Sequence, residues 1–225
     1  MECVVNVLIK VEKIKVYNFE NAFSGMRNPL ESWSKSDSYY DSRNNLAETF
    51  IIGEEDMKLA LRLIKAGSEE RKFLRQIFVS MDITAPDYWF KEYATYKIGT
   101  TENSTSTMHR ITSRLLTEND FSWDELPEDI ELINIIKKHR QETINYLNKL
   151  ITIWQKTKDK KLWRVIIDEL PDSYNFLATW TGNYENLRNV YHARKNHKQQ
   201  EFKDFCKDTI ENLPYSELII TKESR

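Results

Sequence analysis

The 225-residue sequence is short of glycine, with five in all, and holds only two cysteines, Cys3 and Cys206. So few glycines leave little room for a glycine-rich phosphate loop, and neither G-x-G-x-x-G nor G-x-x-x-x-G-K-[ST] occurs. Two lone thiols make neither a disulfide framework nor a C-x-x-C pair. They suit a reducing, cytoplasmic setting, where a buried Cys acts as a small hydrophobe. No apolar run approaches the ~20 residues of a membrane span, and the first residues show no signal-peptide pattern, so no membrane partner is expected. A net charge of -2 supplies no basic field for nucleic acid. The four histidines form no H-E-x-x-H pattern and have no Cys at ligand spacing, so no metal site is expected. No G-x-S-x-G elbow marks a nucleophile.

What is present is ordinary for a folded chain: 40% hydrophobic and 30% charged residues, with aromatics at 12%. Residues 3–16 alternate as a strand, with Val5, Val7, Ile9 and Val11 on one face. Residues 18–46, rich in Ser, Asn and Asp around Gly25 and Pro29, read as a long polar loop with at most one short helix. The spacing predicts a helix over 55–66 stopped by Gly67, a short helix over 68–73 and a strand over 77–83. Pro86 should open a helix reaching about Lys97. The longest helix is expected over 128–157, its stripe running through Ile133, Ile136, Ile144, Leu147 and Ile151. A helix over 160–169, a strand over 174–180 and helices over 183–194 and 198–212 complete the chain. Strands and helices mix without regular alternation. The expected class is therefore α+β (irregular α/β), a mixed sheet flanked by helices including one long helix, in a single domain over 1–225.

Chemistry centres on Asp82 to Arg114. The run Thr100 to His109 carries six hydroxyls, and can be a capped loop or a cradle for an anion. Lys97, Arg110 and Arg114 lie close by in sequence. Arg188, Arg194, Lys195, His197 and Lys198 form a second cationic segment. Either these are surface charges, or the two segments converge on one phosphorylated small molecule.

The order of elements over residues 56–213 resembles the flavin-dependent thymidylate synthase family. That family has an apolar strand, an Ala-Pro turn and a helix ending in Arg-His-Arg, followed by Ser, Asn-Glu, Ser and Arg-Tyr at set spacings. Ala85-Pro86 leads, ungapped, to Thr95-Tyr96-Lys97 at the Arg-His-Arg position. With one inserted residue, Asn103, Ser104, Ser106 and Met108 fall on the Asn, Glu, Ser and Arg. Closer likeness follows Leu170-Pro171, in Asn183, Asn189, Arg194 and Gln199-Gln200-Glu201.

The resemblance implies a homotetramer with sites between subunits and a reaction in which reduced flavin drives methyl transfer to the uracil ring. It puts Lys97, Asn183 and Asn189 toward FAD, and Ser106 and Arg194 toward a deoxyuridylate-type nucleotide. Met108 stands where an Arg should pair with the nucleotide. Arg110 is the candidate to replace it, and Arg27 and Arg43 are candidates on the flavin side. Two readings stay open. One is a divergent enzyme of this family, with FAD binding weakened, and with folate and NADPH involved only if the family's chemistry is retained. The other is a non-catalytic binding or structural protein that keeps the fold and has lost flavin.

Overall fold

The structure is a computed structural model that describes residues 9–42, 49–123 and 126–224. Six strands occur among them: β1 (Lys10–Tyr17), β2 (Tyr39–Asp41), β3 (Thr49–Ile51), β4 (Phe78–Pro86), β5 (Thr101–Ser104) and β6 (Asn175–Asn183). Four of these form one sheet in the order β1-β4-β6-β5, and β2 pairs antiparallel with β3. The helices are α1 (Phe19–Arg27), α2 (Glu54–Ala66), α3 (Asp87–Tyr93), α4 (Thr107–Arg110), α5 (Ile130–Thr157), α6 (Lys160–Asp168), α7 (Tyr184–Arg194), α8 (Gln200–Asp204) and α9 (Glu217–Ile220). The expected α+β class and the long helix are both present.

The chain folds as two compact units. One is built mainly from Asp82–Thr95 and Asn103–Thr179, the other from Glu12–Met81, Tyr96–Glu102 and the residues from Trp180 onward. In the first, Ile144, Leu147 and Ile151 of α5 are buried with Ile111, Leu116, Phe121 and Ile166. They recur at spacings of three and four, so one stripe of the helix faces this core. Asp129 caps α5, its carboxylate accepting from the N–H groups of Glu131 and Leu132. In the second unit Phe23 of α1 packs edge-on against Phe73, with centroids 5.7 Å apart. Phe19 does the same against Tyr184 of α7, also at 5.7 Å.

Several expectations are corrected. The first strand is described over Lys10–Tyr17, and residues 3–8 lie outside the described residues, as does Arg43. Residues 19–27 are a true helix, burying Ala22, Phe23, Met26 and Arg27, and Pro29 falls in the tight turn after it. The expected helix over 68–73 is instead a 3-10 turn over Lys72–Gln76. The Pro86 helix stops at Tyr93 and passes into a 3-10 turn over Ala94–Tyr96. The expected helix over 198–212 breaks after Asp204 into a wide turn, Phe205–Thr209, then a tight one, Ile210–Asn212.

Candidate functional site

Asn183 ends β6 and caps α7. Its side-chain carbonyl accepts from Asn186 N–H and the Asn186 side chain accepts from Asn183 N–H, both at 3.0 Å. The backbone just before the cap must be bare: a Cβ on Gly182 would stand 2.4 Å from the Trp180 ring. Asn186 also donates through Nδ2 to the Ile98 carbonyl at 2.8 Å. That bond holds the turn after Lys97 against the start of α7. Within the turn the Lys97 carbonyl accepts from Thr100 N–H at 3.1 Å and from its hydroxyl at 2.9 Å. Gly99 takes φ of +76°, in the left-handed region, and its missing Cβ would lie 3.9 Å from Asn183 Nδ2. The structure therefore brings together the Lys97 turn and Asn183, two stretches that are far apart in sequence. The Lys97 side chain is exposed.

Arg194 is the last residue of α7. Its guanidinium carbon lies 5.5 Å from the Tyr96 ring centroid and 5.6 Å from that of Phe202. Phe202 is fully buried and meets the His197 ring edge-on at 5.1 Å. Behind these rings the chain turns tightly. His197 N–H donates to the Arg194 carbonyl at 2.9 Å, and Gln199 N–H donates to His197 Nδ1 at 3.3 Å. Among the described residues, Gln199 Oε1 is a buried acceptor with no hydrogen-bond partner. Such an atom costs about 1–3 kcal/mol unless a donor reaches it. Phe202 is a member of this cluster that sequence reasoning did not place at a site, and Gln199 entered it only as part of a motif match. Tyr96 entered it only as a departure from a motif.

Asn189 is exposed and faces a different place. It lines a cavity of about 580 Å³ with Arg71, Arg188, His192, Ala193, Lys222 and Glu223. Arg188 is buried, and it donates through Nη1 to the Ile219 carbonyl at 2.9 Å and to the Thr221 carbonyl. It is therefore not the surface charge that its sequence neighbourhood allowed.

Ser106, Arg110 and Met108 belong to the first unit. Ser106 caps the four-residue α4, its hydroxyl accepting from His109 N–H at 3.3 Å. The hydroxyl-rich run is thus the exposed strand β5 at the end of the sheet order, followed by a capped turn. Arg110 is exposed, and Met108 is half-exposed with its carbonyl accepting from Trp163 Nε1 at 3.0 Å. Arg114 is engaged with the Asp120 carboxylate, one contact being 2.8 Å. Burial opposes ionisation of Asp120, but Arg114 and the Thr117 N–H outweigh it and hold the carboxyl below its usual range.

This geometry can be set beside solved structures. One flavin-dependent thymidylate synthase from Helicobacter pylori, complexed with FAD and dUMP, aligns over 96% of this chain and 99% of its own, with a TM-score of 0.66 and 16% identity. The fold is that of the flavin-dependent thymidylate synthases. A second Helicobacter pylori structure, with FAD and dUMP, covers 95% of this chain and 96% of that one at 16% identity and a TM-score of 0.65. A UMP/dUMP methylase from Streptomyces cacaoi bound with 5-Br UMP shares this flavin-dependent thymidylate synthase-like fold. It covers 90% of this chain and 87% of its own, with 12% identity and a TM-score of 0.60. No family profile and no curated protein matches the sequence. The fold is shared at low sequence identity, and a shared fold does not by itself fix a function.

Proposed function

We propose that this chain is a divergent thymidylate synthase-like protein that binds a deoxyuridylate-type nucleotide through Arg194. The observation that carries the reading is that the Arg194 guanidinium lies near two rings, 5.5 Å from the Tyr96 centroid and 5.6 Å from that of Phe202. A guanidinium held near aromatic rings has less rotamer freedom to lose when it meets a phosphate, which its planar fork matches. Ser106 and Arg110 are candidates for the nucleotide side on the family resemblance alone. Structures of the same fold carry dUMP or 5-Br UMP, which supports the ligand class.

FAD fits this chain's own residues poorly. At the Arg-His-Arg position the Thr95 hydroxyl donates to the Glu92 carbonyl at 2.8 Å, and the Tyr96 ring faces Arg194. Only Lys97 of the three is a cation, and the carbonyl oxygen of Asn183 is engaged in capping α7. Each charge-assisted bond lost to a phosphate forfeits on the order of 1.5–3 kcal/mol. No chemical step through flavin is therefore assigned. Of the two readings, this favours the non-catalytic binding protein over an enzyme that transfers a methyl group to the uracil ring. A homotetrameric, cytoplasmic assembly belongs to the same proposal.

Thermal melting with and without deoxyuridylate tests it. The wild-type chain should melt higher with the nucleotide, and Arg194→Ala should lose that upshift. The ligand-free variant should itself be weakened by about 0.5–1 kcal/mol for each ring contact removed. An upshift that survives Arg194→Ala would remove Arg194 from the site.

A further inference from the structure

Another cavity lies wholly within the second unit, where β1 turns into α1. Its volume is about 760 Å³, in the range of small-molecule pockets. Five rings line it, those of Tyr17, Phe19, Tyr40, Phe50 and Tyr215. Tyr40 meets Phe50 edge-on, and Phe19 meets Tyr215 edge-on, each pair with centroids 5.3 Å apart. Phe19 also packs against the buried Tyr184, and the Tyr215 hydroxyl accepts from Ile52 N–H at 3.1 Å. These contacts fix much of the aromatic wall without a ligand. Tyr17 and Tyr40 remain 48% and 47% exposed, so the cavity is open to solvent.

The polar part of the lining has one sign. Glu20 is the one charged residue among those that line the cavity. Its carboxylate accepts a hydrogen bond from the Tyr40 hydroxyl, which holds it at the rim of the rings. Among the described residues, no Lys or Arg pairs with it. The side chain of Asn18, also in the lining, is already committed: Nδ2 donates to the Gln76 carbonyl at 2.8 Å, and Oδ1 accepts from Asn21 Nδ2 at 2.7 Å.

Ring faces carry negative potential, and the carboxylate adds a full negative charge, so both attract a cation and repel an anion. We propose that this cavity binds an organic ammonium, its charge met by Glu20 and the ring faces and its hydrocarbon part by the rest of the aromatic wall. A hard metal ion fits poorly, because a single lining carboxylate supplies too few oxygen ligands. A neutral aromatic compound would use the rings and leave Glu20 unanswered. The inference is independent of the nucleotide reading, since neither Asn183, Asn189 nor Arg194 lines this cavity.

Calorimetric titration of the full chain with benzyltrimethylammonium is the test. Benzyl alcohol and benzoate carry the same ring with no charge and with the opposite charge. The cation should bind saturably and about tenfold more tightly than the alcohol, and benzoate should give no saturable heat. Glu20→Gln keeps the size of the side chain and an acceptor oxygen for Tyr40 while removing the charge, so it should weaken binding of the cation about tenfold. Glu20 is exposed, so the change should not prevent folding. A cation that binds no more tightly than benzyl alcohol overturns the proposal. So does a Glu20→Gln variant that binds the cation as tightly as the wild type. Deoxyuridylate melting shifts keep this separate from the Arg194 reading: Glu20→Gln should retain the upshift that Arg194→Ala loses.

Discussion

Arg27 and Asp56 show how a charged residue can be spent on architecture. Asp56 is fully buried, and Arg27 Nε donates to it at 2.6 Å. The hydroxyls of Ser36 and Ser38 each donate to its other oxygen at 2.5 Å. Arg27 also reaches the carbonyls of Ser32, at 3.3 Å, and Lys35, at 3.1 Å, which ties the segment after α1 to α2. As a residue in a polar stretch, Arg27 passed as a replacement for a lost flavin contact. Its burial reassigns it. Arg27→Ala leaves a carboxylate buried without its cation, which should cost about 3–5 kcal/mol in urea unfolding. Whatever protein remains folded should bind deoxyuridylate as the wild type does. A selective loss of ligand affinity with unchanged stability would return Arg27 to the site.

Among the elements, α7 organises the second unit's candidate residues, and the residue that caps it, Asn183, has a structural duty. Asn183→Ala removes one arm of a reciprocal cap and should lower stability by about 1 kcal/mol, read as a shift in denaturant midpoint. A midpoint that does not move would mean the cap is dispensable and Asn183 is there for a ligand. Helix α7 was legible because an Asn stands just before a regular helical run. Helix α1 was not: its buried face includes Arg27, which hides the apolar stripe, and Gly25 and Pro29 suggested a loop. The break after α8 has no Gly or Pro to announce it. The wide turn follows from burying Phe205, Cys206 and Thr209 together, a tertiary demand. The pair Arg71–Glu185 spans 114 positions, so no local pattern could reveal the cationic cavity. The Lys97 turn and Asn183 were paired only through the family resemblance.

For the whole molecule, acid stability follows from carboxylates whose folded pKa is depressed. Asp120, held by Arg114 and Thr117 against the effect of burial, is one. A depressed folded pKa contributes stability above the unfolded value of about 4, and that contribution is lost as pH falls through the folded pKa. Unfolding free energy should therefore drop below about pH 4, and Asp120→Asn should flatten that limb at a cost to stability at neutral pH. An identical acid limb in the variant would show that the pair contributes nothing measurable.

The fold is shared at low identity: 16% identity accompanies alignment over 96% of the chain. In the proposed reading, Thr95, Tyr96 and Lys97 stand where the family resemblance would put a cofactor-gripping Arg-His-Arg. We propose that the chain binds a deoxyuridylate-type nucleotide and binds flavin poorly. Calorimetric titration of one preparation, first with deoxyuridylate and then with FAD, addresses it directly. Deoxyuridylate should give saturable heat, FAD little or none, and the protein should be nearly colourless. Tight FAD binding, or a yellow preparation carrying the absorbance of oxidised flavin, would contradict the proposal.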